Sequence, residues 1–465
     1  MGRLASRLCL VITSSSMLPP YLAKSSPNPS SNRAPWYANT APSYAGVFLW
    51  VVFYQSMAAG TIERAGPWLC LGALVIAGLL SYKLYYYIPA MLGMKTGYPL
   101  YVIGSSTFGS TGGYVMPGLL MGLLQVGWLA VGTFFSVKYI LSGFGSQAGP
   151  GSLTFALVAI AWGYTMAYIG VKGIQYVAKI SLFLNLIPFL MILVVFAKTA
   201  GGLASYRPVN PDPFAAVTLI LQIVIGFFAT AGAAGADFGM NSRDQRDVKL
   251  GGLTGIALAI VYAGGLPILS VAGAHGLYPN LVSYNYDAVI AALGGFLATA
   301  MLFLFAVASI VPACFSSFIA GNSFATMLPG VPRMSSTMIG MTVAIILAIT
   351  GAAANLVGVF SIVGASFGPI CGAMAADYLL SGRKWAGPRQ GINWAGYLAW
   401  ALGFLVGIIP FLPVSDDLKR HAQPAAVYSL ITGFVVYALL AKAGLESALV
   451  REPLPAGLRR QGVTA

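Results

Sequence analysis

Twelve apolar runs follow one another along the chain, at 44–62, 67–90, 113–137, 153–171, 176–198, 215–236, 251–274, 291–320, 337–353, 357–380, 393–412 and 425–443. A run of about 20 such residues is long enough to cross a bilayer as a helix. Inside hydrocarbon every backbone N–H and C=O needs a partner in the protein, and a helix supplies them within one segment. The runs are continuous and do not alternate, which excludes a barrel. Only 8% of the 465 residues are charged, too few for the wetted surface of a soluble protein this large. The expected fold is therefore an all-α polytopic membrane protein with twelve transmembrane helices.

The net charge of +14 raises the question of nucleic acid, and the placement of the charges answers it. With the N-terminus inside, most of the Lys and Arg, including Lys95, Lys172, Arg243, Arg246, Arg333, Arg383, Arg389 and Lys442, fall on the cytoplasmic side. Arg64, Lys138, Lys198, Arg207, Lys419 and Arg420 remain outside. This is the positive-inside bias, and it predicts a multi-pass protein of the cell membrane with both termini cytoplasmic. The bilayer, not nucleic acid, is the implied partner. Residues 1–43, rich in Ser and Pro, read as a disordered cytoplasmic tail, and 444–465 as a second tail. Arg3 and Arg7 precede an apolar run too short for a signal peptide, and Met17 is an alternative initiator.

Catalysis is poorly supplied. The only histidines, His275 and His421, sit at a span end and in a loop, and the eleven acidic residues lie almost entirely in loops or at helix ends. Four scattered cysteines give no metal spacing or disulfide framework. No enzyme and no cofactor is expected.

Two spans are unusual. The first contains "WVVFYQSMAAGTIE" (50–63), where Gln55, Ser56 and Gly60 interrupt the apolar run; the sixth contains "FFATAGAAGADF" (227–238). They open two successive five-helix groups, 44–198 and 215–380, with 393–443 left over as peripheral helices. Matched interruptions in corresponding halves point to a transporter with inverted repeats and a midplane site. Close helix packing is the alternative use of a Gly/Ala strip.

The spans offer aromatic faces, amides and hydroxyls, the groups that a flat neutral ring requires. Candidates are Trp128, Phe227, Phe228, Thr230, Gln55 and Asn322, with Phe53 beside Gln55. Trp128 lies mid-span, away from the interfacial belt where membrane tryptophans concentrate. Asn322 serves equally as a helix cap. Ser316 and Ser317 present adjacent hydroxyls that fit either a hard cation or bonds to the preceding turn of their own helix.

Four segments in order resemble the nucleobase–cation symporter family of cytosine, purine and hydantoin permeases, the cytosine branch most of all. They are "YPLYVIGSSTFGSTGGYVMPGLLMGLLQVGW" (98–128), "GADFGMNSRDQRD" (235–247), "FGPICGAMAADYLLSGRKW" (367–385) and "INWAGYLAWALGFLVG" (392–407). The resemblance implies a LeuT-type 5+5 inverted repeat plus two helices. It implies that Trp128 and Phe228 sandwich the substrate, that Thr230 and Asn322 contact it, and that Ser316, Ser317 and the Ala313 carbonyl bind Na⁺. A family Arg is Ser105 here, and an amide of hydantoin-type members is replaced by Gly132. The expected function is a symporter that imports a nucleobase-like heterocycle with Na⁺, or with H⁺, by alternating access. An amino-acid carrier of the same fold and a passive channel are the alternatives. Asp237 is expected to cap a helix or pair with Arg243 or Arg246.

Overall fold

The computed structural model describes residues 18–328 and 330–450. Residues 1–17 and 451–465, which belong to the two tail assignments, lie outside the described residues. Among the described residues nine helices are long and apolar enough to cross a membrane, two more are apolar but shorter, and the first span is a broken helix. We label the spans in order. α1 comprises Thr40–Phe48 and Val51–Tyr54. α2 is Ile62–Thr96, α3 Gly112–Gly143, α4 Leu153–Lys172 and α6 Pro213–Ala233. α5 is Ile174–Thr199. α7 is Gln245–Leu277, α8 Gly295–Met327, α9 Arg333–Ile349, α10 Leu356–Leu380, α11 Trp394–Gly407 and α12 Ala425–Lys442. Each of the twelve apolar runs is thus a helix. α10 is the most enclosed, packed between α6, α11 and α12.

Lipid tails are as apolar as leucine, so burial of apolar surface does little to hold these helices together; close packing and buried hydrogen bonds do. The strip after Phe228 shows the first. α6 runs unbroken through Phe227–Thr230 and ends at Ala233, and a short turn, Gly235–Gly239, follows. A Cβ on Gly239 would lie 2.1 Å from the Ala90 carbonyl oxygen of α2, and one on Gly93 2.1 Å from the Ala236 carbonyl oxygen. The two backbones touch through reciprocal glycines. The interruption therefore falls within the Gly/Ala run, and that run also serves packing.

In α1 the break comes earlier than Gln55. Trp50 has extended backbone (φ −69°, ψ 127°), which separates the two halves, and Gln55 ends the second half. Gly60 then turns the chain with φ 73°.

Residues 18–43 depart from the disordered tail expected of them. Tyr21 and Leu22 are buried, and Tyr21 donates to the Ser110 carbonyl at 2.7 Å. Asn28 donates to the Asn241 side chain at 2.8 Å, and Arg33 to the Met94 carbonyl at 2.8 Å. A Ser/Pro-rich composition gives little core, yet two large side chains and a few polar anchors suffice to strap the segment across the ends of α2 and α6.

Buried hydrogen bonds fix the face that carries both chain ends. Asp377, near the end of α10, accepts from Ser106 at 2.6 Å, Thr107 at 3.0 Å and Arg389 at 3.2 Å. Arg389 also pairs with Glu446, which accepts from Tyr437 at 2.8 Å. Asn393 donates to the Thr107 carbonyl at 2.8 Å, and Trp385 to the Ile103 carbonyl at 3.0 Å. The loop between α2 and α3 is thereby clamped to α10, the α10–α11 connection and the segment after α12.

Candidate functional site: an aromatic junction of α1, α3, α6 and α10

Phe227 and Thr230 are three residues apart on α6 and so share a face, whereas Phe228 is rotated by about 100°. The first pair meets α3. The Trp128 indole Nε1–H donates to Thr230 Oγ1 at 3.2 Å, and the Trp128 and Phe227 rings lie edge to face with centroids 5.0 Å apart. Phe360 of α10 closes a third side, 5.6 Å from Trp128 and 5.3 Å from Phe227. Trp50, at the break of α1, lies 6.0 Å from Trp128. All four side chains are buried. Gly226 permits this convergence, since a Cβ there would lie 2.3 Å from the Phe360 carbonyl oxygen.

Phe228 looks the other way. Its ring stacks on Phe48 at 5.5 Å and tilts against Tyr44 at 5.6 Å, both in α1. The structure thus brings Trp128, Phe227 and Thr230 together and sets Phe228 on the neighbouring face. Phe53 joins from the α1 side, 4.9 Å from Phe227. A flat ring held between two stacking faces needs them roughly 7 Å apart, twice a carbon–carbon contact distance. The 5.0 Å between Trp128 and Phe227 describes a junction closed on itself.

Gln55 is committed elsewhere. It donates to the Asp287 carboxylate and accepts from the Tyr139 hydroxyl, while Asp287 pairs with Lys138. The Gln55 carbonyl accepts from Tyr286 N–H at 2.9 Å. Lys138 and Tyr139 are on α3, and Asp287 is on the short helix Tyr286–Leu293 that precedes α8. These residues latch α1, α3 and the α7–α8 connection on the face opposite the chain ends.

Along α8, Ser317 donates to the Ala313 carbonyl at 2.9 Å, the bond to the preceding turn of its own helix. Ser317 also packs against Gly170 of α4, where a Cβ would lie 2.7 Å from the Ser317 Cβ. Ser316 is buried beside it, and α8 packs against α3, α4, α5 and α9. Asn322 is half-buried between two committed neighbours. Ser323 donates to the Gly118 carbonyl at 2.6 Å and accepts from Gly122 N–H, and Gly321 lies against Thr337 and Arg333. The structure does not bring Asn322 into the aromatic junction.

Asp237 pairs with neither arginine. Arg243 binds Asp247 at 2.7 Å. Asp237 is partly buried in the turn after α6, where loss of hydration raises its carboxyl to about 7 despite backbone N–H groups that favour the anion.

Phe360 and Trp50 are site neighbours that the sequence reading did not single out. Trp50 carries the same signal as Trp128, a tryptophan placed inside a span. Phe360 stands alone among small and aliphatic residues in "LVGVFSIVGAS" (356–366), with nothing in the pattern to mark it.

Comparison with known proteins sets this geometry in context. The sequence profile described as a permease for cytosine/purines, uracil, thiamine and allantoin matches residues 27–435. The chain belongs to this permease family. It is a membrane transporter and not an enzyme. The cytosine permease of Escherichia coli O157:H7 is 28% identical over 358 residues, covering 72% of this chain and 78% of that protein. The fold is that of Mhp1, described as a nucleobase-cation-symport-1 family transporter. Its inward-facing form superposes with a TM-score of 0.68 at 16% identity, over 97% of this chain and 99% of that one. Its closed, bromovinylhydantoin-bound form gives 0.65 at 17% identity, over 93% of this chain and 98% of that one. A Na⁺-coupled sialic acid symporter shares the fold at a TM-score of 0.57 and 14% identity, over 97% of this chain and 98% of that one.

Proposed function

We propose that this permease imports a nucleobase-like heterocycle by alternating access, with the base seated against Trp128 at the junction of α1, α3, α6 and α10. The observation that carries the reading is the meeting of Trp128, Phe227 and Phe360 around a single hydroxyl, Thr230. Aromatic faces bind a flat ring by stacking, and Thr230 can exchange its bond to the indole for one to the ring's polar edge. An amino acid would need partners for two charged ends, and the junction supplies none. To enter, the base displaces the Phe227 edge from Trp128. Phe228, on the adjoining face of α6, supports α1 through Phe48 rather than stacking on the base. Kinship with cytosine permeases favours a cytosine-type ligand.

Transport is coupled to a cation. Na⁺ takes oxygen ligands, and Ser316, Ser317 and the Ala313 carbonyl offer three on one stretch of α8. To coordinate, Ser317 rotates from the carbonyl it now holds, and α1 supplies further carbonyls from its break. Asp237 favours a second reading, in which a proton is the coupling ion. Substrate and ion stabilise the same closable state, so each raises the other's affinity by the same factor. Uptake of labelled cytosine into proteoliposomes, with Na⁺ and pH gradients imposed separately, tests the coupling. One gradient is expected to drive accumulation; uptake indifferent to both sinks the symport reading.

A further inference from the structure

Trp50 is buried to within 7% of its surface, and its indole Nε1–H has no hydrogen-bond partner. Buried donors without partners are rare in native structures, and each asks for a reason. The second indole of the junction offers a contrast: Trp128 Nε1–H is held by Thr230. Trp50 sits where α1 is broken and its backbone is extended, so its side chain is placed by packing rather than by a regular helix. What places it is Gly132, one turn beyond Trp128 on α3. A Cβ at position 132 would lie 2.9 Å from Trp50 Cζ2, so the indole fills the space a side chain would take. Other buried donors also lack a partner, among them the Trp162 indole and the Tyr54, Tyr98, Tyr206 and Tyr286 hydroxyls. Trp50 is the unpartnered donor whose ring lies against the Trp128 ring.

We infer that Trp50 is a specificity-determining residue: its indole N–H donates to a carbonyl oxygen of the heterocycle stacked on Trp128. The inference rests on the reading that a base binds at this junction, and it adds which bases are preferred. A ring that brings a carbonyl oxygen to that position relieves the stranded donor. A ring without one leaves it stranded, and discrimination comes mostly from that difference. Gly132 is part of the device, because any larger residue there pushes the indole away from its position.

The test is equilibrium binding to the purified full-length protein of cytosine, uracil, hypoxanthine and hydantoin. The tightest of these is then paired with its analogue lacking the carbonyl oxygen (for cytosine, 4-aminopyrimidine). The wild type is expected to prefer the oxo compound by about tenfold, the scale of one neutral hydrogen bond. Trp50→Phe, and a protein carrying the N–H-free isostere 3-benzothienylalanine at position 50, are expected to lose that preference, each binding the oxo compound and its deoxo analogue alike. Gly132→Ala is expected to weaken the preference in the same direction. With indole nitrogens labelled, the resonance absent from Trp50→Phe should move downfield when the base binds. A preference that persists with the isostere, or a Trp50 resonance unmoved by a bound base, overturns the inference and leaves the site reading standing. A wild type that binds none of the four bases overturns the site reading and this inference with it.

Discussion

The two faces of the molecule are held by different kinds of polar contact. On the face with the chain ends, Asp377, Arg389 and Glu446 form a buried network, with Arg389 and Asp377 both almost fully enclosed and further bonds from Ser106, Thr107 and Tyr437. On the opposite face, Lys138, Asp287, Gln55 and Tyr139 form a latch whose lysine is 38% exposed. The first ties connecting segments to α10 and has no cause to open. The second ties α1, α3 and the α7–α8 connection, elements that separate under the alternating access proposed above. A buried ion pair left with one partner is heavily penalised, whereas a partly exposed one contributes little beyond position. On that proposal one network stays and the other lets go.

The sharpest way to break this contrast is Arg389→Ala. It strands Asp377 and Glu446 and should destabilise the protein by about 3–5 kcal/mol, seen as a large fall in detergent melting temperature. A variant melting like the wild type would mean the network is not structural. Asp287→Asn removes the charge from the latch. It should shift the protein toward the state open on that face, raising alkylation of a cysteine introduced at Ser56, beside the latch, several-fold with little change in melting temperature. Unchanged labelling would remove the latch from the transport cycle.

Ser317→Ala separates the two readings of α8. As a cation ligand, Ser317 is expected to carry about a tenfold change in the Na⁺ concentration needed for half-maximal uptake. If its bond to Ala313 is its whole role, uptake and its Na⁺ dependence stay as they are. The smallest effect is expected at Asp237. Its folded carboxyl is raised to about 7 from 3.8, so the folded state binds the extra proton between those values. The stability this contributes is complete below about pH 4 and lost as pH rises through 7. Asp237→Asn should therefore flatten the pH profile of melting and gain on the wild type above pH 7. A profile parallel to the wild type's would show that Asp237 does not titrate there.

The comparison also explains what the sequence could and could not tell. Twelve helices were legible because hydrocarbon permits so few solutions for the backbone. The strongest family motifs, "AADY" (375–378) and "INW" (392–394), turn out to belong to the clamped face: Asp377 and Asn393 are its hubs. They identify the scaffold rather than the site. The meeting of Trp128 and Thr230 was legible because an indole and a hydroxyl inside a span each need a partner. The choice between Phe227 and Phe228 was not, because adjacent residues differ only by the rotation of α6, which packing sets. Gln55 was misleading for a related reason. Its amide does need partners, and Tyr139 and Asp287, more than 80 residues away in sequence, supply them. Residues 18–43 were misread because composition does not register Tyr21 and Leu22 as anchors.

The central claim is that a base stacks on Trp128. Equilibrium binding of labelled cytosine to purified wild type, Trp128→Phe and Trp128→Ala tests it most directly, with melting temperatures measured alongside to establish that each variant is folded. The account predicts saturable binding by the wild type, a several-fold loss in Trp128→Phe, which keeps a ring but loses the bond to Thr230, and no measurable binding by a folded Trp128→Ala. Wild-type affinity in Trp128→Ala would contradict it.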